Sequence, residues 1–258
     1  MISKTFRIAL TIVLASFALN SAAWATCSNA SLSGTYGFLH GGTDKAGQPT
    51  TAVSQIRFHP TTGKFTATDT GSHDGVIQTV SLTGTYAVAP NCTVKATVTL
   101  DGQSEKIAFV VTSTGFLSLN ETTGVTAAGP GVKQGSPSCT NAGVKGSFGF
   151  QTTGVFVAGA PVTGPVAFLG ELKLSVNTSG DGVISGHVAG SEDGTIFTFA
   201  DEPVTGSYKV DTDCRGRATI TPKGRPEMHF SIVVVDDGKQ LLAIETDPDT
   251  VVSGSLQR

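Results

Sequence analysis

Hydrophobic and polar residues alternate along most of the chain after residue 25, which is the pattern of β-strands that bury one face. The alternation is clear at residues 94–100, 107–111 and 166–176. Glycine-containing pairs such as Asp101-Gly102 separate these segments and indicate tight antiparallel turns. Valine, threonine and glycine are abundant, as in strands and turns, and no segment after residue 25 shows a helical period. The chain is therefore predicted to be all-β.

Two sequence patterns occur twice, which indicates a tandem duplication. Residues 82–92, LTGTYAVAPNC, return as residues 204–214, VTGSYKVDTDC. The opening CSNASLSGTYGF at residues 27–38 returns as CTNAGVKGSFGF at residues 139–150. Each copy has room for about eight strands joined by short turns.

The duplication divides the chain into two β-units. Residues 26–129 form the first predicted unit and residues 139–258 the second. Between them, residues 130–138, PGVKQGSPS, are rich in glycine, proline and serine and are predicted to be a linker.

Eight antiparallel strands with short connections form either an up-and-down barrel or a two-sheet sandwich. Connections between neighbours favour the barrel, because closure removes both sheet edges. The sequence leaves open what fills the interior. Tyr36, Phe38, Phe58 and Phe109 are one possible filling, and a single small ligand is the other.

The four cysteines are placed alike in the two units, and this selects one of three possible pairings. The predicted disulfides are Cys27–Cys92 and Cys139–Cys214, one in each unit. A metal site is disfavoured because there is no CxxC motif and no histidine at ligand spacing from a cysteine. No cofactor motif is present either.

Residues 1–25 are predicted to be a signal peptide. Lys4 and Arg7 precede an apolar run that is too short to span a bilayer, and residues 23–25 fit a small-x-small cleavage site. An exported chain reaches an oxidising compartment, where the predicted disulfides persist. We therefore expect the protein in the periplasm, at the cell surface or in the medium, with no membrane span.

The net charge of −3 argues against nucleic acid or an anionic membrane as a partner. Four basic residues surround one predicted hairpin, namely Arg215, Arg217, Lys223 and Arg225. We interpret them as a solvated face, because nearby acidic residues cancel their field.

Glu121 and Glu245 are the acidic candidates for a functional site. They end the similar segments FLSLNET and LLAIET, and each shares a strand parity with two apolar residues. An interior carboxyl group with a raised pKa could bind a ligand or transfer a proton, whereas a glutamate at the rim would face water. The parity is ambiguous for Glu245, since Leu242 and Ile244 occupy the other face.

The other candidate pocket residues are His40, Tyr36, Tyr86 and Tyr208. His40 shares a parity with Tyr36 and Phe38 and is predicted to face the interior of the first unit. Tyr86 and Tyr208 are the tyrosines of the repeated motif. No catalytic motif is recognisable, so no residue is assigned a catalytic role.

Three functional hypotheses follow from these observations. The first is a secreted module that either binds a small apolar ligand or has a structural role. The second is a barrel isomerase or cyclase that uses Glu121 or Glu245 with a tyrosine or histidine. The third is adhesion or self-association through an exposed strand near a terminus. The oligomeric state is not predicted.

The two openings, the GTYxVxxxC signature and the ending TDPDTVVSGSLQR resemble exported hypothetical proteins of soil bacteria. This resemblance covers nearly the whole mature chain and implies an exported β-rich module of unassigned function. In strand count alone, each unit is similar to lipocalins and to the allene oxide cyclase/dirigent group. That outline similarity implies an eight-stranded barrel and carries no function.

Overall fold

A computed structural model describes residues 26–100, 102–120, 125–135, 139–198 and 203–258. The predicted signal peptide, residues 1–25, lies outside the described residues, as does Glu121. No helix among the described residues is long and apolar enough to cross a membrane.

The first unit, barrel 1, is a closed barrel of eight antiparallel strands in which each strand pairs with its neighbours in sequence and β8 pairs with β1. Its strands are β1 Gly34–Asp44, β2 Pro49–His59, β3 Lys64–His73, β4 Val76–Val88, β5 Thr93–Leu100, β6 Gln103–Val111, β7 Gly115–Asn120 and β8 Val125–Lys133. Strand β8 includes the first four residues of the predicted linker.

The second unit, barrel 2, closes in the same way through the pairing of β9 with β17. Its strands are β9 Gly146–Phe156, β10 Gly164–Val176, β11 Gly182–Glu192, β12 Thr195–Phe197, β13 Pro203–Val210, β14 Arg215–Pro222, β15 Met228–Val235, β16 Gln240–Glu245 and β17 Thr250–Gln257. Among the described residues, strand β12 pairs only with β11 and stands outside the ring of eight. The predicted all-β class and the pair of tandem barrels are confirmed.

Both predicted disulfides are present, and each closes one end of its barrel. Cys27 is bonded to Cys92 and Cys139 to Cys214. In barrel 1 a short 3-10 helix, Asn29–Ser31, lies beside its disulfide. Barrel 2 has the corresponding 3-10 helix Asn141–Val144. We call this end of each barrel the closed end and the opposite end the open end.

The repeated motif supplies the contacts that build the closed end. The hydroxyl of Tyr86 donates to the carbonyl of Leu32, 3.1 Å away. The hydroxyl of Tyr208 likewise donates to the carbonyl of Asn141 at 2.8 Å. Asn141 Oδ1 also accepts from the backbone N–H of Val210, which ties the 3-10 helix to β13. The matching residues of the two repeats therefore carry the architecture.

The two barrels pack against each other through their outer faces, a contact that the sequence analysis did not predict. Val53 of barrel 1 is buried together with four residues of β15 and β16, namely Val233, Val235, Leu242 and Ile244. The side chain of Gln134 donates to the carbonyl of Val234 at 3.0 Å. This interface explains why β15 and β16 are apolar on both faces.

The closure of both barrels bears on the self-association hypothesis. The first and last described strands, β1 and β17, are each paired on both sides. Neither offers the free edge through which another chain could add a strand.

Candidate functional site

Barrel 1 contains a cavity that opens at the open end and has a volume of about 150 Å³. Its inner wall is apolar and includes Phe38, Ile56, Phe65, Val98 and Phe109. Below it, aromatic rings fill the closed half, since Phe58 packs edge-on against both Tyr86 and Phe116. The interior of barrel 1 is therefore filled at one end and hollow at the other.

A cluster of three polar side chains from neighbouring strands lies at the mouth of this cavity. Ser54 on β2 donates a hydrogen bond to Asp69 on β3. Nε2 of His40, on β1, lies 3.8 Å from the same Asp69 oxygen. The ring of His40 stacks on Phe38 with centroids 4.7 Å apart. Because the serine donates to the aspartate and not to the histidine, this trio is not arranged as a nucleophile and its base.

A second polar group at the mouth comes from β6 and β7. The side-chain amide of Asn120 donates to Glu105 at a distance of 3.4 Å. Ser118 precedes Asn120 by two residues on β7 and lies deeper in the barrel. Its hydroxyl donates to the carbonyl of Gly129 at 3.3 Å. The mouth thus presents carboxylate oxygens from Asp69 and Glu105, and its natural complement is a hydrogen-bond donor.

The three candidate tyrosines belong to the packed part of the barrels. Tyr36 is buried against Phe58 and Phe116. Tyr86 and Tyr208 anchor the 3-10 helices, and burial raises the pKa of Tyr86 to about 12. Burial also raises the pKa values of the other two phenols. None of the three is among the described residues that line the open-end cavity of barrel 1.

Strand register places Asn120, not Glu121, at the position that Glu245 occupies in barrel 2. Asn120 lies opposite Ile107, and Glu245 lies opposite Phe230, which is the repeat counterpart of Ile107. The sequence alignment that pairs Glu121 with Glu245 is therefore shifted by one residue from the structural correspondence.

The face that Glu121 was expected to share is the outer one. Leu117 and Leu119 are more than half exposed, whereas Phe116 and Ser118 are buried in the interior. Glu121 itself lies outside the described residues.

The corresponding end of barrel 2 is filled by larger or apolar side chains. Register equates Asp69 with Val188 and Glu105 with Met228. Phe168 stands at the position of Ala52, the residue paired with His40. Two voids inside barrel 2 have volumes of about 20 and 30 Å³.

Glu245 is a buried acidic residue at the open end of barrel 2. It is only 3% exposed and projects to the interior with Leu241 and Ala243. Burial, together with the nearby charges of Asp247 and Glu192, raises its pKa from 4.5 to about 8. Glu245 borders a separate pocket of about 210 Å³ at the rim. The structure does not bring it together with His40, and no described tyrosine lines that pocket.

Arg225 departs from the expectation of a solvated basic face. It forms an ion pair with Glu192 at 2.6 Å, and both side chains are less than one-third exposed. Its guanidinium also lies 3.8 Å from the ring centroid of Phe197. Arg225 thereby helps to cover the open end of barrel 2.

Sequence reasoning missed the polar residues Ser54, Asp69 and Glu105. The available signal was parity, because Asp69 follows Phe65 and Ala67 on one face of β3. Glu105 likewise precedes Ile107 and Phe109 on one face of β6. A polar residue that shares the strand parity of interior apolar residues marks the level at which the barrel interior becomes accessible to water.

No cluster of three or more metal-ligating side chains is found among the described residues. Comparison with known protein families finds no matching family model. Comparison with curated proteins likewise finds no significant match.

Proposed function

We propose that this chain is an exported tandem-barrel binding protein whose barrel 1 takes a small, largely apolar molecule with a hydrogen-bond donor. The observation that carries the proposal is the cavity of barrel 1, which is apolar inside and has carboxylates at its mouth. Pockets of this kind, mostly apolar with a few converging polar groups, are typical of small-molecule sites. Export is supported by the signal-peptide pattern of residues 1–25 and by the two disulfides.

The size of the cavity limits the ligand. An engineered protein cavity of about 150 Å³ admits a molecule such as benzene. A cavity of about 150 Å³ in barrel 1 therefore suits a single ring or a short branched chain, with its polar group directed to the mouth. Asp69 and Glu105 accept hydrogen bonds, so a hydroxyl or amine group on the ligand fits better than a carboxylate.

Two adjacent alanines on β8 provide a matched test. Ala127 lines the cavity and is buried, whereas Ala128 points outward and is exposed. We expect Ala127→Phe to fill the cavity and Ala128→Phe to add the same ring to the surface. Binding of 4-fluorophenol, followed by fluorine NMR, should be saturable in the natural protein and in Ala128→Phe and be lost in Ala127→Phe.

The chemistry of the mouth is tested with a second probe. 4-Fluoroanisole has a similar body but no donor, and we expect it to bind about tenfold more weakly, as befits one lost hydrogen bond to a charged group. Equal binding of 4-fluorophenol to a folded Ala127→Phe variant, or no saturable binding to the natural protein, would contradict the proposal. Circular dichroism shows whether each variant is folded.

A further inference from the structure

Glu245 presents a buried polar atom that the fold itself does not use. Oε2 of Glu245 has no hydrogen-bond partner among the described residues. A buried, unpaired carboxyl oxygen is costly, and such atoms are rare in folded proteins. An external donor that reaches this carboxyl group would offset the cost.

The pocket beside Glu245 is accessible from the rim and largely apolar. It has a volume of about 210 Å³. Its apolar lining includes Phe156, Pro161, Val162, Met228 and Pro248. This pocket is in barrel 2 and shares no lining residue with the cavity of barrel 1.

The charged side chains around the pocket are mainly acidic. Glu192 lies on β11, Glu227 directly before β15, and Asp247 after β16. Together with Glu245 they bring four carboxyl groups to this end of the barrel.

The basic side chains of Arg225 and His229, near the pocket, already have carboxylate partners. Arg225 is bonded to Glu192. His229 Nδ1 lies 2.7 Å from Asp247, and its Nε2 lies 3.0 Å from Glu227. The hydrogen bond to Asp247 raises the pKa of His229, which strengthens this pairing. Neither side chain is bonded to Glu245, and the carboxylates outnumber the basic groups, so the remaining field at the pocket favours a positive group.

We propose that this second pocket binds a small amphipathic amine, whose apolar body occupies the pocket and whose ammonium group pairs with the carboxyl group of Glu245. The charge balance is simple. Neutral Glu245 releases its proton to solvent as the ammonium arrives, and a buried ion pair replaces the neutral acid. Binding is therefore linked to the release of one proton from Glu245 and strengthens with rising pH up to about pH 8, where this carboxyl group already ionises in the free protein.

Benzylamine and benzyl alcohol are suitable probes because they share a body and differ in charge. We expect isothermal titration calorimetry to show saturable benzylamine binding and binding of benzyl alcohol at least tenfold weaker. At pH 7, titrations in phosphate and in Tris should give different binding heats, because the two buffers differ in ionisation enthalpy. From that difference we expect close to one proton released per amine bound. Benzyl alcohol that binds as tightly as benzylamine would overturn the proposal.

Glu245→Gln keeps the size of the side chain and removes the acid. We expect it to weaken benzylamine binding at least tenfold and to abolish most of the proton release. Glu171→Gln is the matched control, because Glu171 is exposed on the outer face of β10 and undergoes the same substitution away from the pocket. Unchanged benzylamine affinity or proton release in Glu245→Gln would also refute the site.

The two proposals are experimentally separate. Ala127→Phe alters barrel 1 and should leave benzylamine binding unchanged. Loss of fluorophenol binding by this variant tests barrel 1, and loss of benzylamine binding by Glu245→Gln tests barrel 2. A result for one pocket does not decide the other.

Discussion

The two barrels have the same closed end and different open ends. Both closed ends contain a disulfide, a 3-10 helix and a tyrosine that donates to the chain near that helix. At the open end, barrel 1 places Ser54, Asp69 and Glu105 around a cavity. Barrel 2 has glycine, valine and methionine at the corresponding positions.

This difference separates what the fold needs from what it leaves free. An eight-stranded barrel requires a filled cross-section at some level, and here the aromatic and aliphatic residues near the closed end provide it. The open end contributes less to that core, so polar residues can be accommodated there. Function in such a duplicated protein is therefore sought at positions where the two repeats differ.

The largest expected effect concerns Glu245, which makes the stability of barrel 2 depend on pH. Its pKa is 4.5 as a free group and about 8 in the folded protein. The folded state therefore binds the proton more tightly, and this contribution to stability is complete below pH 4.5 and is lost as pH rises to about 8. At about 1.4 kcal/mol for each pKa unit, the loss has an upper limit of roughly 5 kcal/mol.

Urea unfolding between pH 4 and pH 9 measures this loss. The wild-type free energy of unfolding should fall more steeply with pH than that of Glu245→Gln, and the two slopes should differ only in that interval. Glu171→Gln should follow the wild type. Parallel curves for the wild type and Glu245→Gln would mean that Glu245 ionises normally in the folded protein.

Glu245 affects the stability of barrel 2 alone, whereas loss of a disulfide should destabilise the two barrels nearly equally. Their cysteines are separated by 65 and 75 residues. In the chain-entropy model, loss of a bridge over loops of this length costs about 4 kcal/mol in either case. Replacing each pair by serine and measuring urea unfolding tests this, with native-state hydrogen exchange reporting on each barrel. A difference of more than about 2 kcal/mol between the pairs would show that the closed ends are not equivalent.

The architecture could be predicted from sequence because it depends on features that occur twice. The matching motifs located Cys92 and Cys214 at one structural position, and this selected the disulfide pairing. Strand alternation with short turns favoured closed barrels, since each strand had a neighbour in sequence with which to pair. These predictions required only local periodicity and the duplication.

The interface between the barrels could not be predicted, because it depends on the outer faces of distant strands. Alternation identifies one buried face, whereas Leu242 and Ile244 are buried on the second face against Val53. The continuous apolar run of β16 was visible as an ambiguity in the parity of Glu245. Only the structure showed that both faces are buried, one in the barrel and one between barrels.

The candidate site was predicted only in part, since one residue of register decides which side of a strand faces inward. The similar endings FLSLNET and LLAIET suggested that Glu121 matches Glu245. The pairing of Asn120 with Ile107 showed the actual correspondence. Polar interior positions such as Asp69 were overlooked because they interrupt an apolar series, although the interruption is itself the signal.

The smallest expected effect comes from giving barrel 1 the residue that closes barrel 2. Glu105→Met introduces the counterpart Met228 at the mouth of the cavity. The new side chain would cover apolar wall that is now half-buried, and we expect a gain in stability of about 1 kcal/mol. It would also remove the carboxylate of Glu105 as a hydrogen-bond acceptor and reduce the cavity volume, so 4-fluorophenol should bind several-fold more weakly.

Denaturant unfolding and the fluorine NMR titration measure the two consequences of Glu105→Met separately. Lys106→Met is the matched control, because Lys106 is the exposed neighbour of Glu105 on β6 and faces outward. We expect little change in either measurement for this control. If Glu105→Met stabilises barrel 1 and lowers its affinity for 4-fluorophenol, the open cavity of barrel 1 costs stability, as expected of a binding site. If it destabilises the barrel while binding is unchanged, Glu105 serves the fold through Asn120, and the ligand reaches the cavity beside Asp69 instead.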